Sequence, residues 1–491
     1  MTFNSVRRTA CIFFLSLAVC VILACPLLLA ETADSMETEF ANPPDTARPW
    51  VYWMFMDGNL TREGITADLE AMKQAGIGGA LYMEVGVGIK RGPVKFMSPE
   101  WQELIGHAFS EADRLGIQIG MAAGPGWCGT GGPWVKPEQS MQHLVASETS
   151  AAGPSQFDAV LPQPKPRTPF FGEGTLTPEL RKVWKEFYRD VVVLAFPTPA
   201  GNARIADADE KALYFRAPYS SQPGVKPFLT APADPTAVAA DQCIPSDKVI
   251  DLTDKLGPDG RLTWEVPAGN WTIMRFGRTI TGQTSRPAPD PGLGLESDKF
   301  DTAAIDAHFD AFFETLLKKT GDPQHAGRGL TTLHFDSWEM SSQNWSEKFR
   351  EEFTKRRGYD PERFLPAMLG HVVDSAEVSE RFLWDLRQTA QELVVENHVL
   401  RFKELGRKHG LELSVEPYDL NPSSDLKLGG TADVPMCEFW SKGFGLSTEF
   451  SCFEATSIAH TMGKPIVGAE AFTAAPGEDW RQYPGSMKAQ G

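Results

Sequence analysis

The sequence has few cysteines, no excess of positive charge and none of the short motifs that mark nucleotide-binding folds. Beyond residue 30 the cysteines are Cys128, Cys243, Cys437 and Cys452. They show no C-x-x-C spacing, which excludes a disulfide scaffold and a zinc site but leaves room for one bridge. No dinucleotide fingerprint follows the first predicted strand, and the glycine-rich loop after the third lacks the G-K-[ST] ending of a P-loop.

Acidic residues outnumber basic ones by 64 to 47, so the formal net charge is -17. An acidic surface argues against nucleic acid or an anionic membrane as a partner. The 42% hydrophobic and 23% charged residues are typical of a globular protein of two or more domains. Thirteen tryptophans are a high number. Exposed tryptophan commonly lines sugar sites, because its flat apolar face stacks on a pyranose ring.

Beyond its N-terminus the sequence has no apolar run long enough to span a bilayer. Arg7 and Arg8 precede the uncharged apolar stretch 10–30, and a small residue stands just before Glu31. This order predicts a signal peptide over residues 1–30 and an exported protein, periplasmic or extracellular. The run is also long enough for an uncleaved anchor. Residues 1–30 carry two arginines and no acidic residue, so the mature chain is near -19.

Short apolar runs alternate with amphipathic helices along most of the chain, which predicts an α/β fold with a parallel sheet. The predicted strands are residues 50–56, 79–85, 117–123, 330–335, 411–415, 434–440 and 466–472, and the later predicted helices are 303–320, 346–357, 376–409 and 451–462. This alternation indicates a (β/α)8 TIM-type barrel with about seven strands present. An eighth strand is missing, which we interpret as C-terminal truncation. The alternative is a doubly wound open sheet, which the polar clusters at almost every strand end disfavour.

Residues 140–295 interrupt the alternation. Proline-rich tracts there surround strand-like runs such as 191–196 and 271–276. We therefore predict a β-rich insertion after strand three, over residues 140–295. It divides the barrel into a first part, 31–139, with strands one to three, and a second part, 296–491, with strands four to seven.

Strand four, in the stretch G-L-T-T-L-H-F-D-S-W-E that ends at Glu339, is an apolar strand that terminates in polar groups. Later strands end at or carry Glu416, Glu438 and Glu470. In a barrel these strand ends converge on one face, where like charges keep one carboxyl protonated while another stays ionised. Glycosidic bond hydrolysis needs that division between an acid and a base or nucleophile. Carboxylates at strand ends also serve as helix caps, metal ligands or hydrogen-bond acceptors, so each has a non-catalytic alternative.

The loop G-P-G-W-C-G-T-G-G-P-W, residues 124–134, follows strand three. Its glycines let the backbone approach a ligand closely. Trp127 and Trp134 are therefore candidate walls of a pocket, the alternative being a tight loop that packs both rings into the core.

Four motifs together resemble glycoside hydrolase family 106, from about Pro49 to the C-terminus: W-V-Y-W-M-F-M-D-G-N-L-T, the tryptophan loop, H-F-D-S-W-E and G-A-E-A-F. The resemblance implies an exported, inverting, calcium-dependent α-L-rhamnosidase with a catalytic barrel followed by β-sandwich domains. By motif, Glu339 resembles the general acid and Glu470 the general base. Glu438 resembles a further glutamate that helps to hold the sugar or its calcium. The family's eighth strand and trailing β domains are absent from this sequence.

The candidate substrate-binding residues are Asp57, Asn59, Trp127, Trp134, Asp336, Trp338, Glu416, Tyr418 and Glu438. Calcium takes about six to eight oxygen ligands, and the nearest candidates are Asp57, Asp336, Glu416 and Glu438, although no EF-hand spacing fixes them. One alternative is a retaining barrel glycosidase that uses the same two glutamates. Such enzymes usually place asparagine before the strand-four glutamate, where this chain has Trp338. A second alternative is a non-catalytic rhamnose-binding fragment.

Overall fold

A computed structural model of the chain describes residues 36–216, 238–320, 329–417, 423–441, 448–474 and 481–490. The predicted signal peptide, residues 1–30, and the candidate Tyr418 lie outside these ranges. Within them, no helix is both long and apolar enough to cross a membrane.

The first part of the chain alternates strands with helices as the sequence predicts. Its elements are β1 (Trp50–Met56), α1 (Arg62–Gln74), β2 (Gly79–Val85), α2 (Pro99–Leu115) and β3 (Gln118–Ala122). The Thr61 side chain accepts from the Gly64 amide at 3.0 Å, and Ser98 accepts from the Trp101 amide at 3.2 Å. Each hydroxyl satisfies a backbone N–H that has no partner within the helix, which explains why both helices begin where they do.

A long β-rich excursion follows β3. Its elements are β4 (Gly131–Gly132), β5 (Gln142–Val160), α3 (Pro178–Glu186), β6 (Arg189–Pro197), α4 (Ala208–Lys211), β7 (Ile250–Asp251), β8 (Arg261–Ile280) and β9 (Leu295–Glu296). Four of the strands form an antiparallel sheet in the order β5-β8-β6-β7, and β4 pairs with β9. The domain boundaries proposed from the sequence stay predictions.

After the excursion, strands and helices alternate again. They are α5 (Thr302–Phe309), α6 (Thr315–Thr320), β10 (Gly329–Phe335), α7 (Phe349–Arg357), α8 (Ala376–Leu393), α9 (Arg401–Arg407), β11 (Glu412–Val415), α10 (Asp425–Thr431), β12 (Val434–Trp440), α11 (Thr448–Met462), β13 (Gly468–Thr473) and α12 (Pro484–Gln490).

Three predicted helices need correction. The helix predicted from Ser346 begins at Phe349, because the amides of Asn344 and Trp345 pair with the Gln142 carbonyl and hold that segment extended. The helices predicted over 303–320 and 376–409 are each interrupted by a π-helical segment. The second of these segments places His398 against Phe335, with ring centroids 4.8 Å apart.

The seven strands β1, β2, β3, β10, β11, β12 and β13 form one parallel sheet in that sequential order. The sheet curls into a half-barrel, which is consistent with the predicted incomplete barrel. A doubly wound sheet would reverse its strand order at a switch point, so that alternative is wrong. The curl is strong enough for Tyr52 on β1 to reach Asp336 beyond β10, with Oη 2.9 Å from Oδ2.

Alternation along β1 shows which face carries the site. The Trp53 indole N–H donates to Asp68 on α1 at 3.0 Å, so this residue faces the helices. Since successive strand residues point to opposite faces, Tyr52 faces the concave side. The carboxyl ends of the parallel strands lie on one rim of this concave face.

Candidate active site

Tyr52, His334 and Asp336 form a hydrogen-bonded group at the concave face. His334 and Asp336 are two residues apart at the end of β10, and strand periodicity puts both on the same side. The Asp336 Oδ2 atom lies 2.9 Å from the Tyr52 hydroxyl and 3.1 Å from His334 Nε2. The other imidazole nitrogen, Nδ1, lies 2.8 Å from the Ser414 hydroxyl on β11. Both ring nitrogens are therefore occupied, and His334 holds the carboxylate in one orientation.

Asp336 is stabilised as an anion. Burial alone raises the pKa of a carboxyl, because it penalises the charged form. Here the hydrogen bonds from His334, the Ser337 amide at 2.7 Å and Tyr52 outweigh burial and hold the pKa of Asp336 below its usual value. In turn, burial and the charges of Asp336, Glu416 and Glu470 raise the pKa of Tyr52 well above its usual value. Tyr52 is thus a hydrogen-bond donor at all physiological pH values.

Glu416 brings a second buried carboxyl to the group. It follows β11, its backbone N–H donates to the Phe335 carbonyl at 2.9 Å, and the residue is fully buried. Its two carboxyl oxygens lie 3.5 Å from the Tyr52 and Ser337 hydroxyls. One donor atom each from His334, Asp336 and Glu416 lies within 4.8 Å of the others, which is close enough to hold a metal ion.

Glu438 and Glu470 are direct neighbours in the register of β12 and β13. Burial and the charge of Asp336 raise the pKa of Glu470, while the Thr473, Tyr52 and Glu438 hydrogen bonds moderate the rise. The Thr473 hydroxyl donates to Glu470 Oε1 at 2.6 Å. We call Asp336, Glu416, Glu438 and Glu470, together with Tyr52, the carboxylate cluster.

Glu339 has different surroundings. It is half-buried, and its Oε2 accepts a hydrogen bond from the Trp127 indole N–H at 3.0 Å. The backbone N–H of Glu339 donates to the Ser337 carbonyl at 2.9 Å. The tryptophan loop after β3 therefore orients this carboxyl, whereas strands of the sheet orient the carboxylate cluster.

A buried ion pair fixes the tryptophan loop. The Lys299 ammonium donates to Thr130 Oγ1 at 2.9 Å and to Glu296 Oε2 at 2.7 Å, and both charged side chains are fully buried. Burial lowers the pKa of Lys299, because it disfavours the cation. Removing one partner of such a pair typically costs about 3–5 kcal/mol. The buried ion pair therefore holds the loop that carries Trp127 in place.

Two of the predicted binding residues, Asp57 and Asn59, make contacts around the turn after β1. Asp57 pairs with Arg91 at 3.2 Å, and the Asn59 amide donates to the carbonyls of Met56 and Lys90. These contacts keep both side chains in the turn after β1. Tyr418 cannot be placed, since it lies outside the described residues.

Two of the candidate tryptophans make contacts with neighbouring side chains and backbone. Trp134 stacks on Phe312 with centroids 5.5 Å apart, and its indole N–H donates to His308 at 3.0 Å. Trp338 is 7% exposed and donates to the Ser341 carbonyl. Trp127, by contrast, bonds Glu339, and its role in binding a sugar stays a prediction.

Sequence reasoning missed Tyr52, His334 and Thr473. Tyr52 occupies a concave-face position inside an otherwise apolar strand, and His334 stands two residues before Asp336, so the period of two could have found both. Thr473 had no comparable signal. It reaches Glu470 because the backbone of Phe472 adopts a left-handed conformation, with φ of 65°.

The four cysteines after residue 30 are free thiols in the described part of the chain. Cys437 and Cys452 lie next to each other, and burial and the second thiol raise the pKa of Cys437. This pair is where the single bridge allowed by the sequence would form.

Residues 41–491 match the family model of the α-L-rhamnosidases of glycoside hydrolase family 106. The chain belongs to this family. A curated relative from Formosa agariphila is 37% identical over 465 residues, which cover 94% of this chain, and it is named "Putative beta-glucuronidase". A solved structure titled as the rhamnosidase from Novosphingobium sp. PP1Y is 28% identical, covers 92% of this chain and has a TM-score of 0.75.

This member of family 106 spans 37% of the length of the curated relative and 54% of the length of the solved rhamnosidase. Membership confirms the resemblance read from the four motifs. The reaction, the substrate and the role of each residue follow as proposals.

Proposed function

We propose that this chain hydrolyses terminal α-L-rhamnosyl residues by a single displacement with inversion. Glu339 protonates the leaving oxygen, and Glu470 removes a proton from the attacking water. One observation supports this most: the rim holds two carboxyl environments, Glu339 beside Trp127 and Glu470 within the carboxylate cluster. Inversion needs an acid on one side of the sugar and a base on the other.

The chain positions of the two groups leave room for a sugar between them. Glu339 follows β10 and Glu470 lies on β13, with β11 and β12 between. We expect the two carboxyl groups to be about 6.5–9.5 Å apart, which accommodates a water between base and sugar, against about 5–5.5 Å in a retaining pair. Neighbouring negative charges favour proton uptake by Glu470, and this suits a base.

We further propose that Asp336 and Glu416 bind a calcium ion, the expected cofactor. Calcium prefers carboxylate and carbonyl oxygens, and these two buried carboxyls supply them. The imidazole of His334 fits less well as a ligand, because its nitrogens already bind Asp336 and Ser414. Bound there, calcium would hold sugar hydroxyls, while Tyr52 orients Asp336.

A retaining mechanism and a β-glucuronidase activity are the competing functions. The first uses the same glutamates, and the name of the Formosa agariphila relative motivates the second. Trp338 precedes Glu339, where retaining barrel enzymes usually have asparagine, and its indole N–H donates to the Ser341 carbonyl. Tryptophan in place of asparagine favours inversion.

Proton NMR of the first-formed sugar tests the proposal. We expect 4-nitrophenyl α-L-rhamnoside to release β-L-rhamnose before mutarotation, and 4-nitrophenyl β-D-glucuronide to stay intact. Release of α-L-rhamnose first would establish the retaining alternative. Hydrolysis of the glucuronide alone would show that the substrate is a β-D-glucuronide. Binding of rhamnose without hydrolysis of either glycoside would identify a non-catalytic fragment.

Isothermal titration of calcium into the chelator-treated chain tests the cofactor. We expect one site that is lost in Glu416→Gln and kept in Glu377→Gln, a control on the exposed surface of α8. Equal affinity in both variants would refute the assignment to Glu416.

We propose that the protein is exported to the periplasm or the cell exterior. Sequencing of the N-terminus of periplasmic or secreted protein should begin near Glu31. An intact chain in the inner membrane would instead identify residues 10–30 as an anchor.

A further inference from the structure

Two cysteines lie in the layer between β12 and α11, the helix that packs on it. Side chains alternate along β12, and Glu438 shares the face of its register partner Glu470, so Cys437 lies on the opposite face, which the helix covers. The Cys437 side chain is buried. On α11, Cys452 stands three residues before the fully buried Ala455, so both belong to the face that packs on the sheet.

The two thiols are neighbours at the start of α11. Cys452 is close enough to influence the ionisation of Cys437. The residues next to the two cysteines are also bonded to each other, since the Ser451 hydroxyl donates to the Glu438 carbonyl at 2.5 Å. The helix therefore approaches the strand most closely where the two sulfur atoms meet.

Burial of this pair favours a disulfide over a thiolate. Burial and the neighbouring thiol raise the pKa of Cys437, because a buried anion lacks solvation. A disulfide carries no charge, so burial does not oppose it. The Cys437 thiol also lies 3.6 Å from the Gly468 carbonyl, and an S–H group is a weak donor, so oxidation gives up little hydrogen bonding.

The other described cysteines have different surroundings. The pKa of Cys128 is raised by burial and by charges, of which that of Glu339 is the largest. The pKa of Cys243 is raised by burial and by the charges of Asp374 and Asp241. A second thiol is not among the influences on either. Within the described part of the chain, β12 and α11 carry the pair that is placed for a bridge.

We propose that Cys437 and Cys452 form a redox-controlled disulfide that fixes α11 against β12, directly behind Glu438. The inference is independent of the proposed reaction. The oxidant is a disulfide of an external thiol, such as oxidised glutathione. The half-buried Cys452 thiolate attacks it, the S–S bond of the oxidant breaks, and one thiol is released. The Cys437 thiolate then attacks Cys452 Sγ and releases the second thiol, so both protons end on the released thiols.

Peptide mapping tests whether the bridge forms. The 491-residue chain is equilibrated with reduced or oxidised glutathione, its remaining thiols are alkylated, and it is digested without reduction. In the oxidised sample we expect two peptides joined through Cys437 and Cys452, which dithiothreitol separates. Alkylation of both thiols, a glutathione adduct on Cys452 alone, or linkage of either residue to another cysteine would each overturn the proposal.

Thermal unfolding tests whether the bridge stabilises the fold. The two cysteines are 15 positions apart, and closing a loop of that length restricts the unfolded chain. The melting temperature of the oxidised wild type should exceed that of the reduced protein by about 4 °C or more. Cys452→Ser should lose this difference, and Cys243→Ser, the matched control, should keep it. A difference that persists in Cys452→Ser, or is missing in wild type, contradicts the proposal.

Hydrogen exchange of the wild type locates the effect without a substitution. Oxidation should slow exchange of the amides of β12 and α11 by about tenfold and leave those of α8 unchanged, because the bridge restrains local opening of the helix from the strand. Equal exchange rates of α11 in the two redox states would show that a bridge does not fix the helix, and the proposal would then fail.

Discussion

Glu339 and the carboxylate cluster differ in what surrounds each ionisable group. The carboxyl of Glu339 is half-buried, and its hydrogen-bond partner in the described part of the chain is the Trp127 indole. Glu470 is bonded to Glu438, Thr473 and Tyr52 and also feels the charge of Asp336. An isolated carboxyl can exchange a proton with a leaving group, whereas crowded carboxyls bind protons and cations strongly. Both side chains are glutamate, so the difference between the proposed acid and the proposed base must come from the residues around each of them.

The two regions also differ in the parts of the fold that hold their side chains in place. Residues on β1, β10, β11, β12 and β13 position the carboxylate cluster, and backbone hydrogen bonds of one sheet join those strands. Glu339 depends on a loop that is braced by the buried Lys299–Glu296 pair and by the Arg286 carbonyl. Substitutions around Glu339 should therefore act on selected substrates, and those in the cluster on all of them.

The largest expected effect is that of Glu470→Gln. The amide cannot accept the proton of the attacking water, so kcat should fall by roughly 10²–10⁴-fold on every rhamnoside, activated or not. Initial rates on 4-nitrophenyl α-L-rhamnoside and on a rhamnosyl disaccharide measure this. Glu377→Gln on α8 is the control and should stay within about twofold of wild type. A variant that keeps the rate on one substrate would contradict the role of base.

Glu339→Gln should separate substrates by their leaving groups. A disaccharide needs protonation of its departing oxygen and should lose about 10²-fold or more, whereas a nitrophenolate leaves with little assistance and should lose far less. The measurement is a plot of kcat/KM against leaving-group pKa, which should become steeper in the variant. Parallel lines for variant and wild type would show that Glu339 is not the acid.

The sequence was sufficient for the strand-end glutamates and for most of the parallel sheet. Carboxylates that follow apolar strands are visible as a pattern, and a barrel has a single rim onto which such residues converge. The sequence could not show that Tyr52 is a partner of Asp336. The two residues are far apart in sequence, and their contact exists because the sheet curls, which no local pattern encodes.

The tryptophans show what the sequence leaves open. Composition and position made Trp127, Trp134 and Trp338 candidates, and within the described residues only the first bonds a candidate catalytic carboxyl. Trp134 and Trp338 satisfy their indole N–H groups on His308 and on the Ser341 carbonyl. A large aromatic side chain is suited to both tasks, and the partner of its N–H, which the sequence does not give, decides between them.

Tyr52→Phe should have an intermediate effect. It removes the hydroxyl that donates to Asp336. A hydrogen bond to a charged group is worth about 1.5–3 kcal/mol, so kcat should fall by roughly tenfold. The same hydroxyl lowers the pKa of Glu470, so that pKa should rise in the variant. A base acts when deprotonated, and the acidic limb of the rate profile should therefore shift to higher pH.

The pH–rate profile of kcat/KM checks this shift, with Tyr483→Phe as control because the Tyr483 side chain is 64% exposed. An acidic limb that moves to lower pH, or does not move, would show that Tyr52 does not bond the ionised base.

The smallest effect should come from Trp127→Phe, which removes the donor to Glu339 Oε2 and keeps an aromatic ring in the loop. Glu339 then samples more rotamers, and kcat on a disaccharide should fall by roughly fivefold, about the value of one ordinary hydrogen bond. On 4-nitrophenyl α-L-rhamnoside, where protonation contributes little, the change should stay within about twofold. Trp384→Phe, at a 58% exposed position of α8, is the matched control and should change neither rate. Equal losses on both substrates would mean that Trp127 holds the sugar itself, and the contrast between an isolated acid and a crowded base would then no longer explain the site.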